Sequence, residues 1–454
     1  MAVDSRSLST PDPGAGPEDD RRVEAPLVLT TSPPRTMGLW AQTALWGNLG
    51  ISLFGPLTGA LVALSVGSVG GGIAAVVLGC TIGALILGGS AMFGAVTGAP
   101  SMVALRGLLG RRGSVVPTVL NILQNIGWGT MEIIVISTTA ASILGADWRW
   151  PFVVLTGLVT TAMAVRPLGS VRLLRSIMVW LVLLCSVYLF VMVLSQPRNP
   201  IDQTGVIGFW PAVDLAVAGV VSFAPLASDY SRHSRTTSAA FAGASLGYGL
   251  AAVAYYSLGV LAVAHLAGNL SGANLIGALV ALPAGGIALF ILMVDEVDEA
   301  FANIYSTTMS VHNILPRADR RVVAVVIGIV ATLLAGLMDF SRYQSFLFLI
   351  GSFFVPLFTV AVVDFLVVRR RRWDVSDRAP FRWEPVVAWL VGFVTYQLVY
   401  PGDIPGWSEA WAGVAEAIGF AAPSWLGSSV AAIAVSAVLM AGLGLWGRAR
   451  AIRD

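Results

Sequence analysis

The sequence predicts an all-α membrane protein with twelve transmembrane helices. Three observations lead there: a composition far from that of soluble proteins, a succession of long apolar segments, and arginines gathered in alternate connections. Of the 454 residues, 56% are hydrophobic and 11% charged, where a soluble protein carries roughly a quarter charged residues. Mean hydropathy is +0.80. A net charge of +2 gives no reason to expect a nucleic-acid partner; the surroundings that suit this composition are a lipid bilayer.

Residues 1–36 hold "STPDPGAGPEDDRR" and "TTSPPR", rich in Pro, Gly and acids with no apolar run behind a basic start. They read as a disordered tail rather than a signal peptide. From Trp40 onward the apolar segments fall at about 40–66, 71–96, 115–143, 150–165, 172–195, 208–230, 237–266, 283–312, 322–339, 345–368, 384–400 and 428–447. Each is near the ~20 residues that a spanning helix needs. "SGANLIGALVALP" at 271–283 is too short to span and reads as an interfacial or re-entrant helix. Cys80 and Cys185 both sit in apolar segments, as small core residues.

All 27 basic residues are Arg. With a cytoplasmic N-terminus, the inner connections hold Arg106, Arg111, Arg112, Arg166, Arg172, Arg175, Arg232, Arg235, Arg317, Arg320 and Arg321. The run Arg369 to Arg372, with Arg378 and Arg382, fills the last inner connection. Only Arg149, Arg198 and Arg342 fall outside. This bias places both termini in the cytoplasm of a cell that carries the protein in its inner membrane.

Two segments are interrupted. The first reads "WGNLGISLFGPLTG", with Gly47, Asn48, Gly50, Gly55 and Pro56 within it; the sixth reads "VVSFAPLASDYSRH", with Pro225 two residues after Phe223. Backbone groups freed in lipid are tolerated only where they line a cavity or bind something. Segments one and six are five apart, so they hold equivalent places in two five-helix halves. Paired broken helices are the sequence mark of a transporter binding site.

The third segment reads "VLNILQNIGWGTMEIIV". Gln124, Trp128 and Glu132 lie at i, i+4, i+8 on one helical face. A carboxylate at mid-membrane is costly unless it is partnered or faces water, so its default reading is functional. The eighth segment carries "VDEVDEAFANIYS". Asp295, Glu299 and Asn303 share a face with Glu296 beside them, while Asp298 points about 60° to the other side at 100° per residue. Four acids at this density cannot all stay ionised in a low dielectric, so some hold a proton or a cation. Asp295 and Glu296 are placed nearer the outer mouth.

The chain resembles nucleobase–cation symporter family 1, which includes cytosine permease, the hydantoin transporter and fungal purine–cytosine permeases. The resemblance covers about 38–447 and rests on "NIGWGTMEIIV", "SFAPLASDYSRH", "FANIYSTTMS" and "FLIGSFFVPLFTVAVVDFLVVRRRRW". The last is similar to the family's "GxFxxPxxxxxxxD" stretch. The resemblance implies a leucine-transporter-like fold of inverted five-helix repeats, here 37–200 and 201–370, with two further helices and a tail in 371–454. It also implies cation-coupled uptake by alternating access, with no cofactor.

Family members hold a base between aromatic rings of helices three and six, which match Trp128 and Phe223. The amide that reads the ring edge is replaced here by Glu132; of the family's two helix-eight Asn positions, one aligns with Asn303 and the other is occupied by Glu299. Gln124 completes the substrate set. The acids favour an amino-bearing base such as cytosine or a purine. The matching cation site joins backbone of the broken first helix, at Gly47 and Gly50, to Val294, Val297 and Asp298. Valines bring no side-chain oxygen, so Asp298 would take H⁺ or Na⁺.

Other readings predict different things. A same-fold symporter for hydroxymethylpyrimidine, allantoin or hydantoin would keep the aromatic pair, whereas an amino-acid or amine carrier would not need it. A channel would need a continuous polar pore rather than a polar cluster at mid-depth. A membrane enzyme finds no support: His233, His265 and His312 are widely spaced and form no metal motif.

Overall fold

The computed structural model describes residues 33–165, 172–315 and 317–450, without the side chains of 172–179, 298, 309 and 448–450. Nearly all of the expected tail therefore lies outside the described residues. Among those described, the protein is helical, with no strand beyond an isolated bridge between Met37 and Ser234.

The first apolar segment is two helices, α1 (Leu39–Leu49) and α2 (Phe54–Val66), bent by 65°. Pro56 sits in the first turn of α2, where its missing N–H costs no intrahelical bond. Then come α3 (Val69–Thr97), the short α4 (Ser101–Ala104) and α5 (Arg106–Gly113), and α6 (Val115–Leu144). Gly145, at φ 63°, ends α6 in the left-handed conformation that suits glycine. Next are α7 (Trp150–Val165), α8 (Arg172–Leu194) and α9 (Phe209–Val221). The sixth segment breaks as expected: α9 stops at Val221, and a 3₁₀ turn at Ala224–Leu226 leads into α10 (Ala227–Ser231).

The second half continues with α11 (Thr237–His265), α12 (Gly272–Val280), α13 (Gly285–Ile314), α14 (Arg320–Leu337) and α15 (Tyr343–Val363). α15 passes into one π-helical stretch at Asp364–Val368. The chain closes with α16 (Trp383–Val399), α17 (Trp407–Ala417) and α18 (Ser428–Arg450). α12 is the short helix expected near 271–283, whereas α17 has no counterpart in the sequence reading.

Seven described helices are long and apolar enough to cross a membrane, and the α1–α2 pair would make an eighth as one bent span. α7, α16 and the Trp180–Leu194 part of α8 are apolar but shorter. α13 has the length, but its acids and amides keep it out of that group.

Packing follows the two halves. α1 and α2 lie against α11, while α3 lies against both α9 and α11, and α6 lies along α13. The first-half break thus meets second-half helices, and the reverse also holds. The α2–α11 crossing is backbone on backbone. A Cβ at Gly59 would stand 1.8 Å from the Tyr256 carbonyl oxygen, and one at Gly259 would stand 2.0 Å from that of Pro56.

The two ends are stitched separately. At one, Arg149 donates to the Met338 carbonyl, joining the α6–α7 and α14–α15 connections. At the other, Arg106 donates to Asn313 Oδ1 at the end of α13 and to Asp377 at 2.7 Å. There Asp364, fully buried, accepts both Arg382 terminal nitrogens (2.7 and 2.9 Å) and the Trp373 indole N–H (2.7 Å). Elsewhere, buried Asp214 in α9 accepts the Ser428 and Ser429 amides at the start of α18. A helix N-terminus is a favourable place for a carboxylate.

Removing one partner of a buried ion pair strands the other. Asp364→Ala should therefore lower the unfolding free energy by about 3–5 kcal/mol, read as a fall in the thermal midpoint of the purified protein in detergent.

Candidate binding site between the two broken helices

The break in the first helix supplies the floor of the site. Between α1 and α2 the chain leaves helical geometry, so the backbone groups at the start of α2 need partners from elsewhere. Two come from side chains. Ser52 Oγ accepts the Phe54 N–H (3.1 Å), and Glu296 Oε2 on α13 accepts the Leu53 N–H (2.9 Å). Ser52 Oγ–H in turn donates to Glu296 Oε1 at 2.6 Å. Glu296 is thus a capping carboxylate supplied from a distant helix, at the end where the helix dipole favours negative charge.

The second break is held similarly. Gln124 on α6 donates from Nε2 to the Ser222 carbonyl (2.8 Å), where α9 ends. Ser222 Oγ–H donates back to the Gly219 carbonyl at 2.7 Å.

Between the breaks lies a small cavity of about 20 Å³. Its aromatic walls are Phe54, Trp128, Phe223, Tyr248, Tyr256 and Tyr343. Trp128 meets Phe54 edge-on at 5.5 Å between ring centroids, and Tyr343 at 6.1 Å; Phe223 leans on Tyr248 at 4.8 Å. Trp128 and Phe223 therefore belong to separate aromatic groups on one cavity. Gly50, Ser52, Glu132, Glu299 and Asn303 also line it. Carboxylate oxygens of Glu132, Glu296 and Glu299 all lie within 4.8 Å of one another, and the three residues are buried. That spacing lets them share one positive charge. No Lys, Arg or His lines the cavity among the described residues.

On residues that line this cavity, Trp128 Nε1, a donor, and Glu132 Oε2 are buried without a hydrogen-bond partner. Buried polar groups are ordinarily paired, so a donor and a carboxyl oxygen left over on one cavity are what a polar ligand would satisfy.

The sequence-predicted residues divide accordingly. Trp128, Glu132, Phe223, Glu299, Asn303 and Gly50 come together on the cavity. Gln124 does not reach it, its amide being bound to the α9 carbonyl end. Gly47 packs beside Gly247, and Val294 is 39% exposed; neither lines the cavity. The side chain of Asp298 lies outside the described residues. Glu296 is not at an outer mouth: it is 2% exposed and bound to the first-helix break. Its i, i+3, i+7 relation to Glu299 and Asn303 was the available signal. Tyr248, Tyr256 and Tyr343 were missed because a Tyr in an apolar segment reads as core.

The sequence profile described as "Permease for cytosine/purines, uracil, thiamine, allantoin" matches residues 33–399. The chain belongs to this family. Its fold is that of solved transporters. Mhp1 in its inward-facing conformation superimposes with a TM-score of 0.70 and 18% identity, covering 92% of each chain. Mhp1 in a closed conformation with bromovinylhydantoin bound, described as a nucleobase-cation-symport-1 family transporter, gives 0.69 and 19%, covering 93% of this chain and 96% of that one. A manganese transporter of Eremococcus coleocola gives 0.54 and 14%, covering 92% and 96%. At these identities the likeness is one of fold. No curated protein matches the sequence. Family and fold make this chain a permease with a leucine-transporter-like architecture, not an enzyme.

The capping role of Glu296 has a direct test. Glu296→Ala leaves the Leu53 N–H buried without its acceptor and should cost about 1–3 kcal/mol of stability, with Ser52→Ala nearer 1 kcal/mol. Equal thermal midpoints for wild type and Glu296→Ala would remove the cap.

Proposed function

We propose that this permease takes up a planar, amino-bearing heterocycle of the cytosine or purine kind, driven by a cation gradient through alternating access. The observation that carries this is the cavity between the two breaks, with aromatic walls and carboxylates on one side. A flat polarisable ring suits offset contact with Trp128 and Phe223, worth roughly 0.5–1.5 kcal/mol beyond area burial. Glu132 and Glu299 are acceptors for an exocyclic amino group and a neighbouring ring N–H, while Trp128 Nε1–H is a donor for a ring oxygen or nitrogen. Asn303 offers both functions beside them.

The hydantoin bound by Mhp1 is a related flat ring with alternating donors and acceptors, and it belongs in the same ligand screen. In this reading the chain crosses the inner membrane twelve times, with inverted repeats at 37–200 and 201–370 and cytoplasmic termini. The arginine bias supports that orientation, as does the bond between Arg235 N–H and the Met37 carbonyl, which seats the N-terminal segment on an expected inner connection. Gln124 then serves the site by holding the α9 break.

Purified full-length protein would be screened for thermal stabilisation by nucleobases, nucleosides, hydantoins and amino acids, since a ligand stabilises the state it binds. One or two flat bases should raise the midpoint. Trp128→Ala and Phe223→Ala should each weaken that ligand by about 1–3 kcal/mol. Shifts with amino acids alone would keep the fold and discard this substrate class.

A further inference from the structure

We propose that three exposed arginines just after α15, Arg370, Arg371 and Arg372, bind the phosphate of an anionic phospholipid headgroup at the membrane surface. Packing gathers arginine here from separate stretches of the sequence. α5 lies under the connection 369–382: a Cβ at Gly107 would meet the Trp373 ring, and the Arg111 N–H donates to the Ala379 carbonyl at 3.0 Å. α18 lies against the π-helical stretch, with Gly444 beside Val368. Residues 106–113 and 364–384 together hold nine arginines and four acids, so the acids present cannot neutralise this face.

Three of those acids are already engaged. Asp364 is held by Arg382, Asp377 by Arg106 and Arg111, and Asp374 accepts the Ser376 N–H. Arg370, Arg371 and Arg372 are exposed and make no side-chain bond among the described residues. Their backbone is unusual as well. Arg370 and Arg371 stand at φ 48° and 65°, in the left-handed region where glycine fits with less strain. The turn is held from the helix end, the Asp364 carbonyl accepting the Arg369 N–H (2.7 Å) and the Phe365 carbonyl the Arg371 N–H (2.6 Å). Arginine at two positions that suit glycine points to a use for the side chains.

The surroundings of the patch suit a lipid. Val367 immediately precedes the arginines, Phe381 and Trp383 stand at the start of α16, and Trp446 lies near the end of α18; each is about half exposed. Large apolar and indole side chains exposed at the ends of apolar helices belong at the boundary between hydrocarbon and headgroups. Arginines beside that collar stand at the level of the lipid phosphates. A guanidinium offers a phosphate two parallel N–H donors, and the negative potential of an anionic leaflet adds attraction. A free phosphate ion would use the guanidinium donors and leave the collar bare, whereas a phospholipid satisfies both.

Native mass spectrometry of the full-length protein in mild detergent tests this, with phosphatidylglycerol and phosphatidylcholine of equal chain length as probes. Wild type should retain phosphatidylglycerol over phosphatidylcholine, and raising the salt concentration should weaken that preference. Combining Arg370→Gln, Arg371→Gln and Arg372→Gln should lower the affinity for phosphatidylglycerol about fivefold for each arginine removed. Arg198→Gln, on an exposed connection expected at the opposite membrane surface, should leave it unchanged. Equal retention of the two lipids by wild type, or a preference indifferent to salt, would overturn the proposal without any variant. Wild-type affinity in the triple variant would overturn it too, as would an equal loss in Arg198→Gln. Displacement of phosphatidylglycerol by millimolar inorganic phosphate would assign the arginines to a free ion instead. None of these readings depends on which substrate is carried.

Discussion

The structure depends on one constraint: a helix broken inside an apolar protein must find partners for the backbone groups it frees. In water the start of α2 would be solvated, but here it is buried. Glu296 from α13 and Ser52 from the break itself supply the missing acceptors. The two broken helices are therefore not weak points. They are fixed by side chains of the opposite half, Glu296 for the first and Gln124 of α6 for the second. Because each break is held across the interface between halves, a movement of one half against the other acts on the geometry of both breaks. The cavity lies where those holdings meet.

Charge placement follows from the same constraint. A carboxylate placed to cap a helix in a low-dielectric interior brings a negative charge with it, and Glu132 and Glu299 stand within 4.8 Å. Three carboxyl groups this close in a low-dielectric interior cannot all stay ionised without a proton or another positive charge among them. Aromatic walls lower the local dielectric, which strengthens electrostatic interactions beside them.

Much of the fold was legible because long apolar segments and arginine placement answer to the bilayer rather than to partner residues. The breaks were legible as well, since Gly50, Pro56 and Pro225 interrupt otherwise uniform segments. In the site, Trp128, Glu132, Glu299 and Asn303 could be read because helical spacing puts polar groups on one face of an apolar helix. Contacts between helices left no such trace. Nothing in the spacing of Glu296 says that it caps a helix more than two hundred residues earlier, or that Gln124 turns toward a carbonyl instead of the cavity. Tyr248, Tyr256 and Tyr343 are far apart in sequence and become one wall only through the packing of α11 and α15. α17 was passed over because its eleven residues mix acids with aromatics and match neither a spanning helix nor a plain loop.

The bond between Asp214 and the first turn of α18 changes how the end of the chain should be regarded. α18 follows the two halves in sequence, yet its first amides hold a carboxylate buried inside α9, about two turns before the break at Ser222. Cutting the protein after α16 would strand that charge in an apolar interior. The last helix is in this sense a counter-electrode for the binding core, and any shortened version of the carrier would need a neutral residue at position 214 to remain whole.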